Sequence, residues 1–136
     1  MQVLINVDVP NIHAAREFYE RALGLRLKRL LFDNTVAEMQ GGSASLFLTL
    51  KEEGSSPSRA TTQLRHYGRH WTPIHLDYVV ECVEAAVSKA CEAGASLEGE
   101  IESFPWGYLA TMSDPFGNGF CLIQWQGRGY DDTVSS

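Results

Sequence analysis

The chain has too few cysteines to be held together by disulfides. Cys82, Cys91 and Cys121 are the whole set in 136 residues, an odd count with no CxxC pair. That excludes a disulfide framework and a zinc ribbon. Long hydrophobic runs are missing too: no stretch approaches the roughly 18 apolar residues that a membrane-spanning helix needs. Basic character is scarce, with a net charge of −6, so the electrostatic footprint of a nucleic-acid binder is absent. The start, MQVLINVDVPN, lacks a basic segment followed by an apolar block. A secretory signal is therefore not expected, and a cytoplasmic location is. The GGSAS stretch, Gly41 to Ser45, has neither a GKS/T ending nor a helical sequence after it, so it is not a phosphate loop. No serine-nucleophile elbow occurs.

What remains is an ordinary globular composition, 44% hydrophobic and 21% charged, with a chain length that suits one domain or two small modules. VLINVDVP alternates, with Ile5, Val7 and Val9 on one face and Leu4, Asn6 and Asp8 on the other. In NIHAAREFYERALG, Asn11 is placed to cap a helix. Ile12, Ala15, Phe18, Tyr19, Ala22 and Leu23 form its apolar stripe, and Gly24 is the stop. LRLKRLLF, TVAEMQ and SLFLTL then read as strands.

The same plan recurs later. IHLDYVV puts His75, Asp77 and Val79 on one face of a strand. VECVEAAVSKACEAG gives a helical stripe of Val83, Ala86, Val87, Ala90 and Ala93, with Gly94 as the stop. Strand candidates follow around 95–100, 106–112 and 119–125. Each half thus reads strand, helix, three strands. The expected organisation is a first βαβββ module at 1–53, a linker or flap at 54–72, a second βαβββ module at 73–126, and a partly frayed tail at 127–136. The linker gathers Arg59, Arg65, His66, Arg69 and His70. It reads either as a solvated connection or as a flap that holds an acidic ligand group.

Three stretches carry a resemblance: VDVPNIHAAREFYERALGLRL in the first half, and HLDYVVECVEAAVSKACEAGA with WGYLATMSDPFGNGFCLIQW in the second. Together, over roughly residues 3–125, the chain resembles the vicinal-oxygen-chelate superfamily, which includes glyoxalase I, bleomycin-resistance proteins and extradiol dioxygenases. The resemblance implies an α+β fold of two βαβββ modules, with mixed sheets curled into an open cup around a small-molecule site. A homodimer is implied as well.

Metal enzymes of this superfamily carry ligands, usually His, Gln or Glu, on the first and last strands of each module. Compared position by position, His75 stands where a ligand histidine belongs, and Asp77 shares its face. The equivalent of His75 in the first module is Leu4, which cannot bind a metal. Asn6 shares the face of Leu4 and could orient a ligand. The last strand of the first module offers Ser45, Phe47 and Thr49, with no imidazole, carboxylate or thiol. In the second module a Glu is expected four residues after Gly117, and Cys121 occupies that place. Glyoxalase-type chemistry also needs a carboxylate base, and none stands at the usual position. Cys121 as a nucleophile would need a base and a lowered pKa, and its apolar neighbours Phe120, Leu122 and Ile123 argue for packing instead.

The degenerate ligand set favours a binding protein that sequesters a small molecule in an aromatic-lined cup, with no nucleic-acid or membrane partner. The expected ligand-binding residues are Asn6, Phe47, His75, Asp77, Trp106, Tyr108 and Cys121. No catalytic residue is assigned, and no cofactor is expected. The alternative is a metal-dependent lyase, isomerase or dioxygenase holding one divalent metal ion on an atypical site built on His75. A regulatory or assembly dimer is a third reading. The acidic balance suits a cationic ligand and the basic loop an anionic one, so the ligand's charge stays open.

Overall fold

A computed structural model describes residues 1–135 of the chain. The chain divides into two compact units, Met1–Gly68 and Arg69–Ser136. Each carries one α-helix against one face of its own mixed, open sheet. No helix among the described residues is long and apolar enough to cross a membrane.

The first unit runs β1 (Ile5–Val9), α1 (Ile12–Leu23), β2 (Arg26–Leu31), β3 (Val36–Gln40) and β4 (Leu46–Leu50). Its sheet order is β1-β4-β3-β2, with β1 parallel to β4 and the other pairs antiparallel. Alternation decides what is buried. Val9, Ala37, Met39, Leu46 and Leu48 point to one side and meet Ala15, Phe18, Tyr19 and Ala22 of α1 in the core. The helix starts where the Asn11 side chain accepts the Ala14 N–H at 2.9 Å. It ends where Gly24 takes φ 69°, a left-handed conformation that favours glycine.

The stretch after β4 folds back on this unit. The Gly54 N–H donates to the Arg65 carbonyl at 2.7 Å, and the Arg65 N–H returns to Ser55 at 2.9 Å. The Arg65 guanidinium reaches the Asp8 carboxylate at 2.7 Å, and the Tyr67 hydroxyl donates to the Lys51 carbonyl at 2.6 Å. Arg65 therefore has an internal carboxylate partner.

The second unit runs β5 (Leu76–Val79), α2 (Val83–Glu92), β6 (Ser96–Leu97), β7 (Glu102–Phe104), β8 (Gly107–Ser113) and β9 (Gly119–Trp125). Its order is β5-β9-β8-β6, with β5 parallel to β9, and β7 is an extra strand hairpinned onto β8. The shared plan expected from sequence is present, except that four strands follow α2. The stretch read as one strand at 95–100 pairs over only two residues, and Gly99, at φ 90°, turns the chain away.

Within the tail, residues 129–133 form a 3-10 turn. Tyr130 packs on Trp125 at 4.6 Å and on Trp106 at 5.1 Å between ring centroids.

The two helices are capped differently. Cys82, at the N-cap of α2, makes no side-chain cap. The Gln124 side-chain carbonyl, from β9, accepts the Val83 N–H at 2.9 Å. Replacing Gln124 with Ala should therefore cost about 1–2 kcal/mol in urea unfolding, the scale of a lost helix cap, whereas Cys82→Ala should stay within about 0.5 kcal/mol. Equal losses at the two positions would contradict this assignment.

Candidate functional site

The turn Asp114–Asn118 builds one end of the site. Asp114 is buried, and its carboxylate accepts three N–H groups. One oxygen takes the amides of Phe116 at 2.8 Å and Asn118 at 2.9 Å; the other takes the Asn118 side-chain amide at 3.0 Å. A buried carboxylate needs such partners, because an unpaired one is costly. Gly117 allows the turn at φ 86°.

That turn in turn holds the segment Arg69–His70. The Gly117 carbonyl accepts the His70 N–H at 3.1 Å, and the His70 ring lies 3.0 Å from the Asn118 side-chain oxygen. The Arg69 guanidinium lies over Gly119, where an added Cβ would stand 2.7 Å from Nη2. Arg69 also hydrogen-bonds the His70 carbonyl and grips Glu98 through two contacts, at 2.6 and 2.9 Å. The Arg69 guanidinium holds the Glu98 carboxyl below the usual carboxylate range, and Glu98 raises the Arg69 pKa in return.

Between this segment and the sheet lies a pocket of about 320 Å³, lined by Arg69, Trp71, Thr72, His75, Leu109, Thr111, Gly119, Phe120 and Cys121. Its floor follows from register. Asp77 pairs with Cys121, and Cys121 with Thr111, so the three form one row across β5, β9 and β8. Tyr78, Ala110, Met112, Phe120 and Leu122 alternate with these residues toward α2. His75 lies immediately before β5, on the same face as Asp77. Its Nε2 is 3.1 Å from the Asp77 carboxylate, with the two side chains 55% and 38% exposed. Cys121 is only 8% exposed. Burial and the neighbouring Asp77 carboxylate push its thiol pKa up, so it stays protonated at neutral pH; a hydrogen bond with Thr111 opposes the shift.

Of the residues expected from sequence, the structure brings His75, Asp77 and Cys121 together. Their donor atoms all lie within 4.8 Å of one another. Asn6 and Phe47 are register partners on β1 and β4 of the first unit, on the side away from α1. Tyr108 pairs with Gln124 and shares the α2 side of the sheet, opposite Cys121. Trp106 stacks on Phe104 at 5.1 Å and belongs to the aromatic group with Trp125 and Tyr130. Neither Trp106 nor Tyr108 lines the pocket. Thr72, Leu109 and Thr111 are not among the residues expected from sequence, and Arg69 figures there only in the basic cluster of the linker. Parity with Cys121 across an antiparallel pair could have found Thr111 and Leu109 once the register was known.

Residues 4–123 match the family described as a glyoxalase-like domain. The chain belongs to the glyoxalase-like family. Its fold is that of a glyoxalase/bleomycin resistance protein/dioxygenase family enzyme from Burkholderia phytofirmans PsJN, with a TM-score of 0.70 and 19% identity over 90% of this chain and 97% of that one. A lactoylglutathione lyase from Agrobacterium tumefaciens is similar at a TM-score of 0.62 and 17% identity, over 91% of this chain and 92% of that one. The anthracycline biosynthesis protein DnrV of Streptomyces peucetius is 30% identical over 123 residues, 88% of this chain. This glyoxalase-like chain aligns with only 40% of DnrV's length.

The Arg69–Glu98 pair predicts a pH signature. Glu98 has a depressed pKa when folded, so its contribution to stability is present above the unfolded carboxylate pKa, about 4.3. That contribution is lost as pH falls through the lower folded value. Urea unfolding followed across the acid range should therefore show a shallower pH dependence for Glu98→Gln than for the unaltered chain. Superimposable slopes would show that the pair carries no linkage.

Proposed function

We propose that the second unit captures a planar aromatic small molecule in the pocket beneath Arg69–Thr72. The observation that carries this reading is the pocket's lining: an exposed indole at Trp71, apolar Leu109, and a few polar groups at Arg69, Thr72, Thr111 and His75. Sites for small molecules combine apolar walls with sparse polar groups in this way, and their volumes start at about 300 Å³. The similarity to an anthracycline biosynthesis protein supports a fused-ring aromatic ligand. A homodimer and a cytoplasmic location are part of the same proposal.

Sequestration suits the chemistry better than turnover. Cys121 stands where the resemblance calls for a carboxylate, and its thiol is protonated. Asp77, the nearest carboxylate, is engaged by His75. The alternative is a metal-dependent lyase, isomerase or dioxygenase built on His75. It is favoured by the closeness of the His75, Asp77 and Cys121 donors. A divalent ion held by these three residues would act there as a Lewis acid toward a ligand oxygen.

Binding is tested by titrating an anthracycline into the metal-free protein with chelator present, reading tryptophan fluorescence and thermal stability. A steroid of similar size but without a planar aromatic ring system is the control. The anthracycline should quench the emission and raise the melting temperature through mass action, and the steroid should do neither. Trp71→Ala should weaken binding about tenfold, the scale of one lost aromatic stack. An anthracycline that produces no quench and no stabilisation, or that binds Trp71→Ala as tightly as the unaltered chain, would sink the reading.

A further inference from the structure

We propose that the pocket selects ring systems bearing hydroxyl or amino hydrogens, and that the hydroxyl oxygens of Thr72 and Thr111 are the acceptors that choose them. The inference rests on ligand capture in the same pocket and deepens it by naming what the captured ring must carry.

Hydrogens decide what a ligand meets here. A threonine hydroxyl has one hydrogen and two lone pairs, so an oxygen whose hydrogen is already bonded can only accept. Thr72 donates its hydroxyl hydrogen to the Ile74 carbonyl at 2.6 Å. Thr111 stands beside Cys121 in the β8–β9 register. Its hydroxyl donates to the Cys121 sulfur, the direction that stabilises a thiolate and opposes the rise of the thiol pKa. The thiol hydrogen in turn points to Asp77, the register partner on the other side. From the far end of the row, His75 Nε2 lies 3.1 Å from the same carboxylate. An ionised carboxylate only accepts, so that nitrogen carries the hydrogen. The hydrogens of the row thus run from both ends toward Asp77, and Thr111 keeps lone pairs for the pocket it lines.

Arg69 does not change this polarity. Its Nε and Nη2 are bonded to the Glu98 carboxylate at 2.6 and 2.9 Å, and its Nη1 to the His70 carbonyl. Its charge is therefore balanced in place. The lining offers a ligand two hydroxyl oxygens beside apolar Leu109 and the Trp71 indole. A ring hydroxyl or amine supplies the hydrogens that those oxygens lack. A methyl ether or a carboxylate in the same position sets lone pair against lone pair. An acceptor covered by such a ligand loses its water and gains no donor, which is unfavourable. Sites built around a hydrogen bond reject the analogue that lacks it for this reason.

The test compares a dihydroxynaphthalene, with its hydroxyls at opposite ends, against its dimethyl ether and the matching dicarboxylate. Binding to the full chain is read by isothermal calorimetry at neutral pH, where phenolic hydroxyls keep their hydrogens. The diol should bind about tenfold more tightly than the ether, the scale of one neutral hydrogen bond. The dicarboxylate should bind most weakly. Thr111→Val keeps the shape of the side chain and removes its oxygen, and Thr72→Val does the same at an exposed position. Each should lower the diol's affinity by about threefold or more and leave the ether's unchanged, whereas a merely structural role would weaken both probes alike. Thr111→Ser, which keeps a hydroxyl, should retain the preference. Equal affinity for diol and ether, with both weakened in Trp71→Ala, overturns the inference and leaves ligand capture standing. A preference for the diol that survives both valine substitutions also overturns it. Failure of both probes to bind overturns it as well, and the anthracycline titration then decides ligand capture separately.

Discussion

The second unit is organised around one buried carboxylate. Asp114 accepts three N–H groups, and so fixes where the Gly117 carbonyl and the Asn118 side chain point. Those two groups hold His70, and with it the course of the chain from Arg69 to Thr72. Without that hold, the segment from Arg69 to Thr72 would keep the Arg69–Glu98 contacts but lose its anchor on the turn, and the pocket wall would loosen. The bonds are charge-assisted and shielded from water, the condition in which a hydrogen bond is strongest and its loss most costly.

The two units show how one backbone plan carries different content. Both place the first strand parallel to the last, with a helix on the far side. In the first unit, the face away from the helix carries Asn6, Asp8, Phe47, Thr49 and Glu38, and its charges are mutually compensated. Glu38 is held by Arg29 and Lys28, with its carboxyl kept below the usual range by Arg29 first of all. Asp8 is held by Arg65 and Thr49. In the second unit the corresponding face keeps an imidazole, a carboxylate and a thiol side by side next to open volume. The candidate chemistry is therefore concentrated in one unit of a doubled plan.

Much of this was legible from residue order. Alternation in INVDV and LDYV, the Asn11 cap and the Gly24 stop predicted the elements that form, and strand parity alone placed His75 and Asp77 together. The DPFGN turn also marked Cys121 as a position of interest. Other features depended on pairing that single-strand periodicity does not encode. β7 is three residues long and exists only because β8 offers it an edge. Tyr108 faces α2 because its register with Gln124 sets its side, and Trp106 sits in the turn ahead of β8, where Phe104 and Tyr130 converge. Arg69 looked like one more cation in a polar connection. Its partners, Glu98 and the Gly117 turn, are 29 and 48 residues away, and such distant contacts leave no local signal.

The hold of the Asp114 turn on the pocket wall can be measured directly by hydrogen exchange at the His70 amide. That amide lies outside any helix or strand, yet it donates to the Gly117 carbonyl. In the unaltered chain it should exchange slowly. In Asp114→Ala it should exchange freely, while the amides of β8 and β9 keep most of their protection. A His70 amide that stays equally protected in Asp114→Ala would contradict the dependence of the pocket wall on this turn.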